Sequence, residues 1–174
     1  MAINAGIFGD NTCFEQRYVS DVEKLGELVQ YWKKLGLRIV LTSGTFDLFH
    51  IGHAQYLERA KALGDVLIVG VDSDEKVRAR KGPQRPVVPE NERVLILAHV
   101  RHVDVITLKH TSHGSNYLIK LIEPDVLVLS KSTKHDDEDI KNKSQYCGEV
   151  VLLEPQAQTS TSAKLRLIQI KKDV

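Results

Sequence analysis

Apolar residues along the chain form two alternating patterns, one typical of helices and one typical of buried strands. From Asp21 to Leu35 they recur at helical spacing, and Gly36 follows where a glycine commonly ends a helix. Residues 38–42 then form a short, largely β-branched run that ends at Ser43 and Gly44. This run predicts a buried strand that leads into a tight loop.

The alternation continues through the rest of the chain. The pattern predicts strands at 65–71, 103–108, 125–129 and 149–153, and helices near 53–63, 90–100, 115–123, 134–146 and 160–171. Strands that are apolar on both faces and alternate with helices are typical of a parallel sheet covered on both sides. We therefore predict an α/β fold with one doubly wound, parallel, five-stranded sheet.

The length of 174 residues fits one domain. Residues 1–19 show no clear period and are predicted to be a lead-in, which leaves 20–174 as the single domain. Lys and Arg number 24 against 23 Asp and Glu, so the net charge is +1. Such a chain has no general electrostatic attraction to nucleic acid or to an anionic membrane. Neither partner is expected, and any anion must be bound locally.

The cysteines and the apolar runs indicate where the protein acts. Cys13 and Cys147 are too few and too far apart for a disulfide framework or a zinc site, which fits a reducing compartment. No apolar run approaches the ~18–20 residues of a membrane helix, and the chain does not open with a basic start followed by an apolar stretch. We expect a cytoplasmic protein.

The histidines are the unusual feature of the composition. Six of the seven form three His-x-x-His pairs, which are His50/His53, His99/His102 and His110/His113. The second pair lies at the end of a predicted helix, where a structural or solvated role is expected. The third lies in a polar loop after a predicted strand, where a substrate contact stays open. A metal site is disfavoured because no third ligand recurs at zinc spacing.

The segment 43–53, which contains the first pair, joins the first predicted strand to a helix and suits phosphate binding. In doubly wound sheets ligands bind outside the carboxyl ends of the strands. Gly44 permits a tight exit from the strand, and Gly52 lets backbone approach a ligand closely. The following helix presents unpaired N–H groups and a positive dipole end. Neither the G-x-G-x-x-G fingerprint nor a Walker A loop occurs in the chain.

The same segment resembles a known signature. The cytidylyltransferase-like nucleotidyltransferases carry a motif similar to Gly44-Thr45-Phe46-Asp47-x-x-His50-x-Gly52-His53. The resemblance implies a Rossmann-like sheet in which His50 and His53 stabilise the α-phosphate of a nucleoside triphosphate while a substrate phosphate attacks it and pyrophosphate leaves. Class I aminoacyl-tRNA synthetases also carry the string HIGH, but 174 residues leave no room for their tRNA-binding domains.

The resemblance covers about residues 25–170 and is closest to the heptose-phosphate adenylyltransferases, through residues 28–40, 71–93 and 160–162. It implies a third catalytic residue, Lys81, and substrate contacts by Asp47 and Asp74. The nucleotide contacts that it implies are made by Gly44, Thr45, Phe46, Gly52, Arg93, Ser160, Thr161 and Ser162.

Each implied role has a physical case and an open alternative. Lys81 and Arg93 are cations suited to phosphates, or else a solvated loop lysine and a surface helix residue. Residues 160–162 place hydroxyl and N–H groups at a predicted helix N-terminus, which suits phosphates and also plain capping. Asp47 orients a histidine or a substrate group, or is a turn aspartate whose hydrogen bonds are satisfied within the protein.

The resemblance implies adenylyl transfer from ATP to a sugar 1-phosphate, with Mg²⁺ as cofactor and a homodimer as the assembly. A cytidylyltransferase that uses CTP and glycerol 3-phosphate is the alternative, because the first motif is also similar to that of glycerol-3-phosphate cytidylyltransferases. Residues 129–133 depart from the Lys-Gly-Gly-Asp of the adenylyltransferases, near the expected position of the base. A nucleotide-binding regulatory module without turnover is a third hypothesis.

Overall fold

The computed structural model describes residues 14–133 and 135–154, and the strands in this part of the chain form one sheet. They are β1 (Ile39–Gly44), β2 (Val66–Asp72), β3 (Val105–Lys109), β4 (Val126–Ser130) and β5 (Glu149–Leu153). The helices are α1 (Phe14–Arg17), α2 (Val22–Lys34), α3 (Ile51–Lys61), α4 (Asp74–Lys81), α5 (Glu90–Ala98), α6 (Tyr117–Ile122) and α7 (Asp137–Ser144). All neighbouring strands are parallel, which confirms the predicted five-stranded sheet.

The strand order places a crevice at one edge of the sheet. The strands lie in the order β3-β2-β1-β4-β5, so the chain moves outward from β1 to β3 and then crosses back to β4. The order therefore reverses between β1 and β4, and doubly wound sheets bind ligands at such a point, outside the carboxyl ends of the strands. At this edge Gly44 of β1 lies beside Val71 of β2, and Asp72 pairs with Lys109 of β3.

Helices cover both faces of the sheet. On one face α3 and α5 bury Leu57 and Leu97 against the strands. On the other face α2 and α6 bury Leu25 and Ile122. The strands β1 to β4 are largely buried on both sides, and this is the reason that they appear in the sequence as continuous apolar runs, whereas β5 is only partly buried. Among the described helices, none has the length and apolar character needed to cross a membrane.

The apolar pattern missed α1, a helix of four residues, and it also missed α4. Val77 is the one buried residue of α4, so no apolar period marks it. Its signals are local, since the side chain of Ser73 accepts a hydrogen bond from the Lys76 N–H at 3.2 Å and Gly82 follows the helix with φ 94°. Acidic residues occupy its first turn and basic residues its last. The helix predicted at 160–171 lies outside the described residues.

The end of the predicted lead-in packs on the domain. Arg17 is only 8% exposed, and its guanidinium donates to three carbonyls at and beyond the end of α5, those of Ala98, Val100 and Val103. The Val19 N–H donates to the Ile106 carbonyl at 2.9 Å. Residues 17–19 are thus held against the edge strand β3 and the helix beside it.

Gly64 lies where a larger residue would meet backbone. A Cβ added there would lie 2.7 Å from both the Arg38 carbonyl oxygen and Val40 Cγ2. We expect Gly64→Ala to lower the free energy of unfolding by about 1–3 kcal/mol, because overpacking forces neighbouring atoms apart. Gly114→Ala is the control, since no atom lies within 4 Å of its added Cβ. Guanidinium chloride unfolding measures both, and equal stability of the two variants would contradict the expectation.

Candidate phosphate-binding site

A cleft of about 780 Å³ opens at the carboxyl edge of the sheet, where the crevice was expected. It is bounded by the ends of β1, β2, β3 and β4 and by the start of α3. The structure brings eight of the predicted site residues to it, namely Gly44, Thr45, Phe46, Asp47, His50, Gly52, His53 and Lys81. Ser160, Thr161 and Ser162 lie outside the described residues.

The two histidines form a reciprocal cap at the start of α3. The Gly52 N–H donates to His50 Nδ1 at 3.1 Å, and the His50 N–H donates to His53 Nδ1 at 3.4 Å. The rings stack with their centroids 4.0 Å apart. Because both Nδ1 atoms accept, the hydrogen-bond network assigns the proton of each neutral ring to Nε2. Both imidazoles at this cleft are therefore N–H donors.

The loop between β1 and α3 has an unusual backbone that other contacts hold in place. Phe46 and Leu48 have φ of 52° and 48°, in the left-handed region of backbone conformation that residues other than glycine rarely adopt. Asp47 lies between them, with a carboxylate that is 2% exposed and bound to the Val87 and Val88 N–H groups and to Arg85. Such strain persists only where surrounding contacts enforce it, and it is frequent at functional sites.

The hydrogen bonds of Asp47 are satisfied by the protein, as in one of the two predicted alternatives, but the partners lie about 40 positions further along the chain. Its carboxylate ties the first loop to the segment that follows α4. The ring of Phe46 meets that of His53 edge to face at a centroid distance of 5.5 Å, so the strained loop also supports the histidine pair.

Arg93 is neither exposed at the surface nor part of the lining of the cleft. It is 1% exposed, and its guanidinium donates to the carbonyls of Thr45, Asp72 and Val88 and to the carboxylate of Asp74. The side chain is absent from the lining of the cleft, and all three guanidinium nitrogens donate to protein acceptors, while the nucleotide contact of Arg93 stays a prediction. Asp74 is its ion-pair partner at 2.7 Å and is likewise absent from the lining of the cleft.

Several cations of the cleft were missed by the sequence reasoning. Besides Lys81, the basic residues that line it are Lys76, Arg80, Arg85, Lys109 and Lys143. The acidic ones are Asp47, Asp72 and Glu154. A nearly neutral chain thus concentrates positive charge at one cleft. The available signals were the basic last turn of α4 and a lysine directly after an apolar strand.

Two of these lysines, Lys81 and Lys109, have lowered pKa values. Burial lowers the pKa of Lys81, and the neighbouring charges of Arg80 and Arg85 lower it further. Burial also lowers the pKa of Lys109, although Asp72 opposes this effect. In both cases the charged form is less favourable than in water, which an anionic ligand would correct.

The far end of the cleft is formed by residues around the end of β4. Ser130, Ser132 and Thr133 line it, so the segment that departs from the adenylyltransferase pattern does face the cleft. His135 and Lys143 lie beside them, joined through the carboxylate of Asp139. No apolar period or motif in the sequence pointed to His135 or Lys143.

The other histidine pairs do not line this cleft. His99 is exposed at the end of α5, where its Nδ1 contacts the Leu95 carbonyl at 2.9 Å. His102 Nε2 lies 3.8 Å from Glu58. The ring of His113 stacks on Tyr117 with centroids 4.6 Å apart. These contacts are those of surface and structural residues.

The described residues offer little to a divalent metal ion. They contain no group of three or more His, Cys, Asp or Glu side chains arranged to hold one. The three carboxylates that line the cleft are each bound to a cation, Asp47 to Arg85, Asp72 to Arg80 and Glu154 to Lys131. Mg²⁺ keeps many waters and is commonly held by substrate phosphates with few protein ligands. A Mg²⁺ ion here would have to be carried mainly by the triphosphate.

The chain is similar in sequence to known proteins. The sequence model of the cytidylyltransferase-like family matches residues 41–171. The bifunctional protein HldE of Wolinella succinogenes is 38% identical over 154 residues, which are 88% of this chain and 32% of that protein. The HldE of Nitratiruptor sp. is 42% identical over 113 residues, 65% of this chain and 24% of that protein. The chain thus spans about a third or less of the length of these relatives.

Solved structures show the same architecture. A lipopolysaccharide core biosynthesis protein from Thermoplasma volcanium matches with a TM-score of 0.61 and 29% identity, over 70% of this chain and 100% of that chain. A pantoate-beta-alanine ligase from Francisella tularensis matches with a TM-score of 0.61 and 15% identity, over 91% of this chain and 78% of that chain. The second likeness shows the fold alone.

Proposed function

Because this chain belongs to the cytidylyltransferase-like family, we propose that it is a nucleotidyltransferase, which joins the nucleoside monophosphate of ATP to a sugar 1-phosphate and releases pyrophosphate. The observation that carries the proposal is the reciprocal cap of His50 and His53 at the start of α3, at a cleft rich in cations. Directed N–H donors and positive charge are what a phosphate group requires.

In the proposed reaction a phosphate oxygen of the acceptor forms a bond to the α-phosphorus of the triphosphate. The bond from this phosphorus to the oxygen that bridges to the β-phosphate breaks, and the electron pair leaves with pyrophosphate. Phosphoryl chemistry of this kind requires in-line positioning and stabilisation of charge, with little covalent participation by the protein. No covalent enzyme intermediate is needed.

The start of α3 supplies the stabilisation of the α-phosphate. His50 and His53 donate from Nε2, because each Nδ1 accepts a backbone hydrogen bond. The helix N-terminus adds its N–H groups and its positive dipole end. Donors that are already oriented do not have to reorganise as charge builds on the phosphate oxygens.

The leaving pyrophosphate requires further positive charge. Lys81, the last residue of α4, is proposed to balance this charge from its place on the lining of the cleft. Ser160, Thr161 and Ser162 are proposed to bind the β- and γ-phosphates. Mg²⁺, when bound to the triphosphate, would neutralise part of the phosphate charge. Arg93 does not line the cleft; its proposed contribution is to hold the Thr45 carbonyl and the Asp74 carboxylate together.

The identity of the base is the open part of the proposal. The wider resemblance to heptose-phosphate adenylyltransferases favours ATP. CTP is the alternative, with glycerol 3-phosphate as its acceptor, because the first motif is also similar to that of glycerol-3-phosphate cytidylyltransferases. The cleft residues Ser130, Ser132 and Thr133 belong to the segment that departs from the adenylyltransferase pattern. The two nucleotides differ in the groups that their bases present to this end of the cleft.

Pyrophosphate release tests the proposal directly. The chain is incubated with ATP, CTP, GTP or UTP, together with mannose 1-phosphate, glucose 1-phosphate or glycerol 3-phosphate. We expect pyrophosphate from ATP with a sugar 1-phosphate and none when the acceptor is omitted. Release from CTP with glycerol 3-phosphate would establish the alternative. Tight ATP binding without pyrophosphate from any acceptor would instead indicate a nucleotide-binding regulatory module.

A cytoplasmic location and a homodimer remain part of the proposal. The location is supported by the dependence on a nucleoside triphosphate. The dimer is supported by three apolar side chains that are exposed in the single chain, Leu28 and Tyr31 of α2 and Leu35 directly after it. Light scattering that gives the 19.6 kDa mass of one chain would contradict the dimer.

A further inference from the structure

Lys109 occupies a place that no motif of the sequence explains. It is the last residue of β3 and pairs with Asp72 of β2. Its side chain is only 12% exposed, yet it lines the cleft. A Cβ built on Gly70 would lie 2.9 Å from Lys109 Cδ and 2.8 Å from Ser43 Oγ, so the lysine stem passes over Gly70 toward β1. The absence of a side chain at Gly70 is what allows this path.

The ammonium of Lys109 is not fully compensated by the protein. The partner that the described residues offer it is Asp72 Oδ1 at 3.6 Å, which exceeds the about 2.7–3.2 Å of an N–H···O hydrogen bond. The other oxygen of Asp72 already accepts from Arg80 at 2.8 Å. A buried ammonium with unused donors is costly unless an anion approaches it. Burial accordingly lowers its pKa.

The neighbours of Lys109 form a cationic lobe, which we define as Lys76, Arg80 and Lys109 around Asp72. The lobe is connected to the first loop, since Arg80 Nη2 also donates to Thr45 Oγ1 at 2.9 Å. Lys76 is held by the carbonyl of His113 at 2.8 Å. Side chains of Ser43 and Ser115 complete the polar part of this end of the cleft.

The strand order assigns this lobe to one substrate. It lies over β2 and β3, on the opposite side of β1 from β4. If the base lies toward Ser130 and Thr133 at the end of β4, the triphosphate crosses the start of α3, and the β2 side is left for the acceptor. This placement rests on the proposed function.

We propose that Lys109 binds the phosphate group of the acceptor and, with Arg80, holds it beside the histidine pair, so that it is a specificity-determining residue for phosphomonoester acceptors. Asp72 is the positioning residue that keeps both cations in the cleft. The lobe thus selects a small acceptor by its phosphate dianion, before any contact with the rest of the molecule.

The test is a titration followed by two-dimensional NMR of the ¹⁵N-labelled chain, with α,β-methylene-ATP bound. Mannose 1-phosphate and inorganic phosphate are the probes. In the wild-type chain we expect both to shift the backbone amides of Gly70, Lys109 and Ser115. Absence of shifts at these amides would overturn the proposal whatever the variants do.

Lys109→Met keeps the length of the stem over Gly70 and removes the charge. Loss of a charge-assisted contact should weaken binding of mannose 1-phosphate by about 10- to 100-fold. The affinity for α,β-methylene-ATP should change by less than about 3-fold, because the lysine does not contact the nucleotide. Lys24→Met, at an exposed site on α2, is the matched control and should change neither affinity.

The outcomes separate this inference from the proposed function. The inference would be overturned if wild type and Lys109→Met bind mannose 1-phosphate equally well. It would also be overturned if the variant binds mannose 1-phosphate and α,β-methylene-ATP equally more weakly. Both results would count even if pyrophosphate is released in the turnover assay. Weaker binding of mannose 1-phosphate by Lys109→Met, with unchanged binding of α,β-methylene-ATP, would support the inference even if no turnover is found. Lys109→Arg, which keeps the charge, should retain most of the binding and guards against a folding defect in the methionine variant.

Discussion

His53→Ala will lower the turnover number for pyrophosphate release by about 10²- to 10³-fold, the scale on which enzymes lose activity when one donor to a developing oxyanion is removed. The variant loses the Nε2–H donor that faces the α-phosphate in the proposed reaction. It also removes the acceptor for the His50 N–H, so the partner imidazole loses part of its support. The measurement is steady-state pyrophosphate release with saturating nucleotide and acceptor.

His99→Ala is the matched control for this experiment. It removes an imidazole that is exposed at the end of α5 and is absent from the lining of the cleft. We expect its turnover to stay close to that of the wild type. Because loss of a helix cap costs about 1 kcal/mol of stability, thermal unfolding of His53→Ala should be recorded beside the assay. A folded His53→Ala chain with unchanged turnover would refute the assignment of the histidine pair.

Arg93→Met will lower the free energy of unfolding by about 3–5 kcal/mol, because removal of one member of a buried ion pair leaves its partners uncompensated. The methionine fills much of the same space but leaves the Asp74 carboxylate and the carbonyls of Thr45, Asp72 and Val88 without their donor. The loss corresponds to a fall in Tm of about 6–20 °C for a chain of this size.

The control for Arg93→Met is Arg101→Met. Arg101 is exposed in the turn after α5, where a substitution should change stability by no more than about 0.5 kcal/mol. Differential scanning calorimetry compares the two variants. If Arg93→Met melts within about 2 °C of the control, the guanidinium does not hold the first loop, and the predicted direct contact with nucleotide becomes the better explanation of this residue.

The fold was predictable because its strands carry a strong local signal. Residues of β2 such as Leu67 and Ile68 are buried on opposite faces of the sheet, so the whole strand is apolar and stands out from its flanks. The helix α4 gave no such signal, because only Val77 is buried and most of its other residues are charged. Apolar periodicity in a sequence indicates which residues are buried. A helix that buries one residue lacks this periodicity and can be predicted only from its capping residues.

The loop proposed to bind phosphate was also identifiable in the sequence, since its parts are neighbours there. His50, Gly52 and His53 span one helical turn, so their spacing alone allows the reciprocal cap. The burial of Arg93 was not predictable, because it depends on four acceptors that belong to three other segments. A local sequence pattern does not indicate which distant residues come together in the fold.

The sequence by itself determined the parallel sheet and the presence of a helix after the loop that follows β1, because burial periodicity acts over a few residues. That helix begins at Ile51, two residues before the predicted start. Tertiary structure alone decided which charges meet. Asp72, Arg80 and Lys109 come from the ends of β2, α4 and β3, and they converge because the strand order places β3 beside β2. Charge placement over this range depends on how the chain returns to the sheet, and local physical chemistry does not specify that path.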